Sequence, residues 1–174
     1  RGQLLGNFKG NDKILEISKS GHYRLLPYDL STHFDDEMVL LEKYDSNRPV
    51  SAIYFDGDKE RFFVKRFIPE TEGRPENFIS EAKGSYLEWI STDQQPRVEV
   101  IFRRIKGKQP DDLEVNIAEF IAVKGEKAQG NQLSREKIRS INTLPSLAVE
   151  KNEAEAEAQN GDSDEEASQI SIDF

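Results

Sequence analysis

Thirteen basic side chains set beside short apolar runs are the groups in this sequence whose type and placement could do chemistry, and that chemistry is phosphate binding. They are Lys19 and Arg24, then Lys59, Arg61, Lys65 and Arg66, then Arg97, Arg103, Arg104, Lys106 and Lys108, and last Lys124 and Lys127. His22 accompanies the first group, and Arg135, Lys137 and Arg139 continue the series. Any one of them could equally be solubilising surface charge. Recurrence favours phosphate: cations that return at one point of a repeated unit line up along one edge of the assembly, where the evenly spaced phosphates of DNA can meet them.

Groups for bond-making chemistry are missing. The chain has no cysteine, no Gly-x-Ser-x-Gly elbow, no glycine-rich phosphate loop with a following lysine, and no histidine pair at ligand spacing. His22 beside a turn and His33 in a polar loop read as exposed turn histidines. Asp35-Asp36-Glu37 and Asp111-Asp112 lack the alternating ligands and fixed glycine of a calcium loop and read as solvated turns. Phe55, Phe62, Phe63, Trp89 and Phe102 lie inside apolar runs, which makes them core residues before base-stacking platforms. None of the five tyrosines is flanked as a nucleophile would be.

Short strands must position these cations. Four apolar cores, Ile14–Ile17, Ile53–Phe55, Leu87–Ile90 and Phe120–Val123, each run into a polar turn, and the turns are regularly spaced: Gly21 to Gly57 and Gly57 to Asp93 are 36 positions, Asp93 to Gly125 is 32. Such a period predicts four β-rich, propeller-like units, none able to bury its apolar face alone. The clearest hairpin joins Ala52–Phe55 to Arg61–Ile68 through Asp56-Gly57-Asp58. The third unit is expected to pair Tyr86–Ile90 with Arg97–Arg104, and the fourth to run from Glu114 to Val123. Ser134–Arg139 fits a short strand or a helical turn equally. Helical periodicity is scarce, so the fold class is all-β.

The net charge of -9 argues against a nucleic-acid partner only until its distribution is read. Residues 149–174 carry nine acids against Lys151, leaving residues 1–148 at -1. Two parts follow: a body over 1–148 and an acidic, flexible tail over 149–174, whose tip Ile170–Phe174 is apolar enough to dock. The apolar runs are too short to cross a bilayer and no secretory pattern opens the chain, which predicts a soluble, cytoplasmic protein. Arg1-Gly2-Gln3, without a methionine, reads as the start of a piece of something longer.

Asn11-Asp-Lys-Ile-Leu-Glu-Ile-Ser-Lys-Ser-Gly21 and Phe120-Ile-Ala-Val-Lys-Gly-Glu-Lys-Ala-Gln-Gly-Asn-Gln-Leu-Ser134 resemble blades of the C-terminal domain of bacterial type IIA DNA topoisomerase A subunits, nearest the topoisomerase IV (gyrase A-like) branch of the Bacteroidetes type. The resemblance spans about residues 4–143. It implies a β-pinwheel with about four recognisable blades, open or incomplete, that binds or bends double-stranded DNA through the basic residues named above. It also implies that strand cleavage, magnesium and ATP belong elsewhere in an ATP-dependent enzyme, so that this chain holds no cofactor and no catalytic centre. Its partners would then be double-stranded DNA, the rest of that A subunit and the ATPase B subunit, in the bacterial cytoplasm and associated with the nucleoid. The gyrase box Gln-Arg-Arg-Gly-Gly-Lys-Gly is missing; Lys124-Gly-Glu-Lys-Ala-Gln-Gly130 is a weak echo, which favours a topoisomerase IV-like role over negative supercoiling. The alternatives are a protein-interaction propeller whose charges only solvate it and, third, a carbohydrate hydrolase on a propeller scaffold.

Overall fold

The computed structural model describes residues 2–28, 33–147 and 168–173. Three hairpins organise it. Strand β2 (Lys13–Ser18) turns through Lys19–Gly21 into β3 (His22–Pro27), and β5 (Val50–Asp56) turns into β6 (Arg61–Phe67). Strand β9 (Arg97–Phe102) turns into β10 (Leu113–Asn116). A later strand adds to the first member of each hairpin: β4 (Met38–Lys43) pairs β2, β8 (Tyr86–Ser91) pairs β5, and β12 (Ile138–Leu144) pairs β9, all antiparallel.

Two short strands stitch these sheets together. Between β6 and β8 the chain crosses back as β7 (Glu76–Asn77) to pair β3, and between β10 and β12 it crosses back as β11 (Asn131–Gln132) to pair β6. Each crossing inserts an apolar residue behind it. Phe78 N–H donates to Gly21 O at 2.9 Å and Leu133 N–H to Phe62 O at 2.8 Å, and both side chains are buried. The sheet orders are therefore β4-β2-β3-β7, β8-β5-β6-β11 and β12-β9-β10.

Alternation along the central hairpin explains the layering. Val50, Ala52 and Phe67 pack with Leu15, Ile17, Tyr23, Leu25, Phe78 and Leu87 on one side. Ile53 and Val64 face the other way, into Trp89, Val98, Val100, Phe102, Val115, Ile117 and Leu133. A strand covered on both faces buries nearly every residue, as β5 and β6 do. A third cluster, Phe8, Ile14 and Leu41, lies under β1 (Gly2–Phe8), which pairs antiparallel with β13 (Ser168–Asp173).

The all-β expectation holds, with one helical turn, α1 (Ile117–Phe120), among the described residues. The assignment of strands to units changes. Tyr86–Ile90 does not form a hairpin with Arg97–Arg104; it returns to β5, because the intervening Thr92–Pro96 stretch carries the chain to the next sheet instead of reversing it. The expected fourth unit is the end of β10 followed by α1, capped by Asn116, whose side chain accepts from the N–H groups of Ala118 and Glu119. The equal turn spacing therefore compared hairpin tips with a sheet-to-sheet crossing. Part of the Ser134–Arg139 stretch opens strand β12. The acidic run between 148 and 167 lies outside the described residues, as does Phe174, whereas residues 170–173 of the tip expected to dock belong to the strand paired with β1.

Gly57 is required by proximity, not by its backbone angle. A Cβ there would lie 1.9 Å from the carbonyl oxygen of Lys83, in the segment that leads into β8, while Gly57 N–H donates to Ser85 Oγ at 2.9 Å. Gly57→Ala must push the Lys83 segment off the hairpin, an overpacking cost of about 1–3 kcal/mol. Urea unfolding would show it as a lowered midpoint; an unchanged midpoint would mean that the close approach is not made in solution.

Candidate nucleic-acid interface

The tips of the three hairpins carry cations. Lys19 stands on the β2–β3 turn, Lys59 on the β5–β6 turn with Arg61 opening β6, and Arg103, Arg104, Lys106 and Lys108 follow β9. All but Arg61 are exposed. Lys59 Nζ sits 5.2 Å from the centre of the Phe63 ring, which pins the lysine stem while leaving its charge at the surface. Lys106 holds a left-handed backbone, φ 49°, in the turn that Ile105 and Lys108 close with reciprocal backbone hydrogen bonds.

Two of these tips converge on one groove. Pairing of Ile138 with Phe102, and the Arg103 N–H donated to Lys137 O at 2.9 Å, carry Lys137 and Arg139 beside Arg103. The neighbouring sheet contributes Arg61, Phe55, Phe62 and Tyr86 to the same groove, about 330 Å³ in volume. Among the described residues the side chains of Arg103, Lys137 and Arg139 make no hydrogen bond or ion pair; Arg61 donates from Nη1 to the neighbouring Glu60 carbonyl at 2.9 Å. Three carboxylates, Glu60, Glu88 and Glu136, share the lining. Burial pushes the Glu88 carboxyl up from its ordinary range, which weakens its opposition to an anion. The Tyr86 hydroxyl is also pushed up, first by burial and then by Glu88, against the opposing effect of Arg103.

Other cations named from the sequence are spent inside the protein. Lys65 and Arg66 are 6% and 8% exposed. Lys65 Nζ donates to Phe78 O at 2.9 Å and to Glu126 O, and Arg66 Nε donates to Ser51 Oγ at 3.1 Å. Arg24 grips buried Glu16 with two hydrogen bonds, 2.7 and 2.9 Å. Arg97 donates to Pro145 O at 2.9 Å and lies 3.7 Å from Glu114. Lys124 and Lys127 are exposed, but on the loop around Glu126 and away from the groove. The groove thus brings together Arg61 and Arg103 of the thirteen and adds Lys137 and Arg139 from the end of the series.

Among the described residues no three His, Asp or Glu side chains gather to hold an ion. The buried carboxylates are occupied: Glu16 by Arg24 and the Asp35 N–H, Asp56 by the N–H groups of Asp58 and Lys59. No helix among the described residues is long and apolar enough to cross a membrane.

The described residues thus form antiparallel sheets with charged hairpin tips and a groove lined by Arg61, Arg103, Lys137 and Arg139. The chain belongs to the topoisomerase C-terminal domain family of Bacteroidota, whose model matches residues 1–145, so its role is topoisomerase-associated. It is also 30% identical over 97 residues to a protein named "Invertase" from Schwanniomyces occidentalis, covering 53% of this chain and 17% of that protein. The chain thus spans about a sixth of the length of that relative. No solved structure matches.

Proposed function

We propose that this chain is the DNA-binding C-terminal domain of a type II topoisomerase A subunit, guiding duplex DNA to a strand-passage core carried elsewhere in the enzyme. The observation that carries this reading is the meeting of Arg61, Arg103, Lys137 and Arg139 at one groove, three of them with no intramolecular partner among the described residues. Unpaired cations repel one another, and an anion with spaced charges relieves that repulsion while releasing its own condensed counterions. Exposed tips at Lys19, Lys59, Arg104, Lys106 and Lys108 extend the surface along which a duplex is bent, and the sheets correspond to blades of an open pinwheel.

In the same reading, residues 1–148 form the DNA-binding body and the acids from Glu150 onward compete with DNA for its cations. The parent is an ATP-dependent isomerase of the topoisomerase IV or gyrase type, acting in the bacterial cytoplasm with an ATPase B subunit, and its cleaving chemistry lies outside this chain. The test is the salt dependence of duplex binding by the full chain. A log–log slope near -4 or steeper is expected, since each phosphate contact contributes about -0.9. A flat response would remove phosphate contacts as the source of affinity.

A further inference from the structure

Tyr86 is 43% exposed at the groove wall, although it is part of an aromatic cluster. Its ring stacks on Phe55, with centroids 5.2 Å apart and planes 23° from parallel, and stands edge-on to Phe62 at 6.3 Å. Phe55 and Phe62 in turn pack edge to face at 5.1 Å. The two phenylalanines fix the tyrosine ring, so it is a prepared flat surface and not a loose side chain.

Duplex DNA has no use for such a ring. Its phosphates can meet the cations along the groove's rim, but its bases are stacked inside the helix and present only edges, so the ring stays unused. The ligand that uses an aromatic face and several unpaired cations together is an unpaired nucleotide, which offers a π-face and flanking phosphates. Ser134 and Ser140 on the lining add hydroxyls within the same cleft.

The geometry points to a single-stranded DNA site in this groove, with an unpaired base stacked on Tyr86 and its phosphates held by Arg61, Arg103, Lys137 and Arg139. This rests on the DNA-binding reading and deepens it: the domain grips duplex along its cationic tips and the groove's rim, and captures a locally opened strand within the groove, between the central and last sheets. Such a site would favour opened or strongly distorted duplex near the enzyme.

The experiment compares binding of a fluorescein-labelled oligothymidine and a duplex of equal length to the full chain and to Tyr86→Ala, Tyr86→Phe and Arg103→Gln. Tyr86→Ala is expected to lower the ratio of single-strand to duplex affinity about tenfold, the usual contribution of one stacked base. Tyr86→Phe, which keeps the ring, is expected to retain the ratio, and Arg103→Gln to weaken single-strand binding. If the wild-type chain binds duplex but not oligothymidine, or if Tyr86→Ala leaves the ratio unchanged, the single-strand site is overturned while the duplex reading stands. If neither nucleic acid binds at low salt, both are overturned.

Discussion

Replacing Arg61, Arg103, Lys137 and Arg139 together by glutamine is expected to weaken duplex binding at low salt on the order of a hundredfold and to flatten the log–log salt slope by about four. The size follows from the number of charges, since every phosphate left without its cation takes away about one unit of slope whatever the sequence. Glutamine keeps the first methylenes of each stem, so packing at the groove is largely preserved. Arg97→Gln serves as the comparison, because its guanidinium already holds Pro145 O and faces Glu114. It should leave the slope within about one unit of wild type. Equal losses in the two proteins would mean that affinity tracks overall charge and that the groove has no special part in it.

Why four particular cations, and not the thirteen read from the sequence, is a matter of which strand faces are covered. Ala52–Phe55 and Arg61–Ile68 were legible as a hairpin because β-branched and aromatic residues flank Asp56-Gly57-Asp58, and the observed register pairs Phe55 with Phe62 and Asp56 with Arg61. Lys65 and Arg66, in the same strand, read as phosphate-binding cations, a role that requires them to reach water. Here β6 lies between two cores, so both are buried and satisfied by groups 13 to 61 residues away in sequence, a pairing that no local pattern encodes. Lys137 and Arg139 are the converse case. They look unremarkable beside Lys124 and Lys127, and only the long-range pairing of β12 with β9 sets them against Arg103. Tyr86 was hidden for a related reason: the sequence reads it as the start of a hairpin, whereas its return to β5 puts its ring on Phe55.

Burial of Lys65 makes the stability of the domain depend on pH in a way an exposed lysine would not. Desolvation lowers its pKa from the ordinary value of 10.5 to about 8, with the nearby Glu126 acting in the opposite direction. Below pH 8 the lysine is protonated in both folded and unfolded chains, and the fold carries the penalty of a buried charge. Between pH 8 and about 10 the folded protein releases that proton while the unfolded chain keeps it, so stability rises with pH. The full rise is at most about 3 kcal/mol, from 1.36 kcal/mol per pKa unit. Above pH 10 the trend reverses. Burial raises the hydroxyls of Tyr23, Tyr44 and Tyr54, so these stay protonated in the fold while the unfolded chain ionises. The group concerned also joins two sheets: Lys65 holds Phe78 O from the first crossing strand, while Glu126, whose carbonyl it also binds, accepts hydrogen bonds from Tyr23 and Thr71. Urea midpoints of the wild-type chain are therefore expected to climb from about pH 7.5 to a maximum near pH 9–10 and then fall, with the climb lost in Lys65→Met. A climb of equal size in Lys65→Met would assign the titration to another group. A flat wild-type profile would mean that the ammonium reaches water and that the two sheets are not sealed over it.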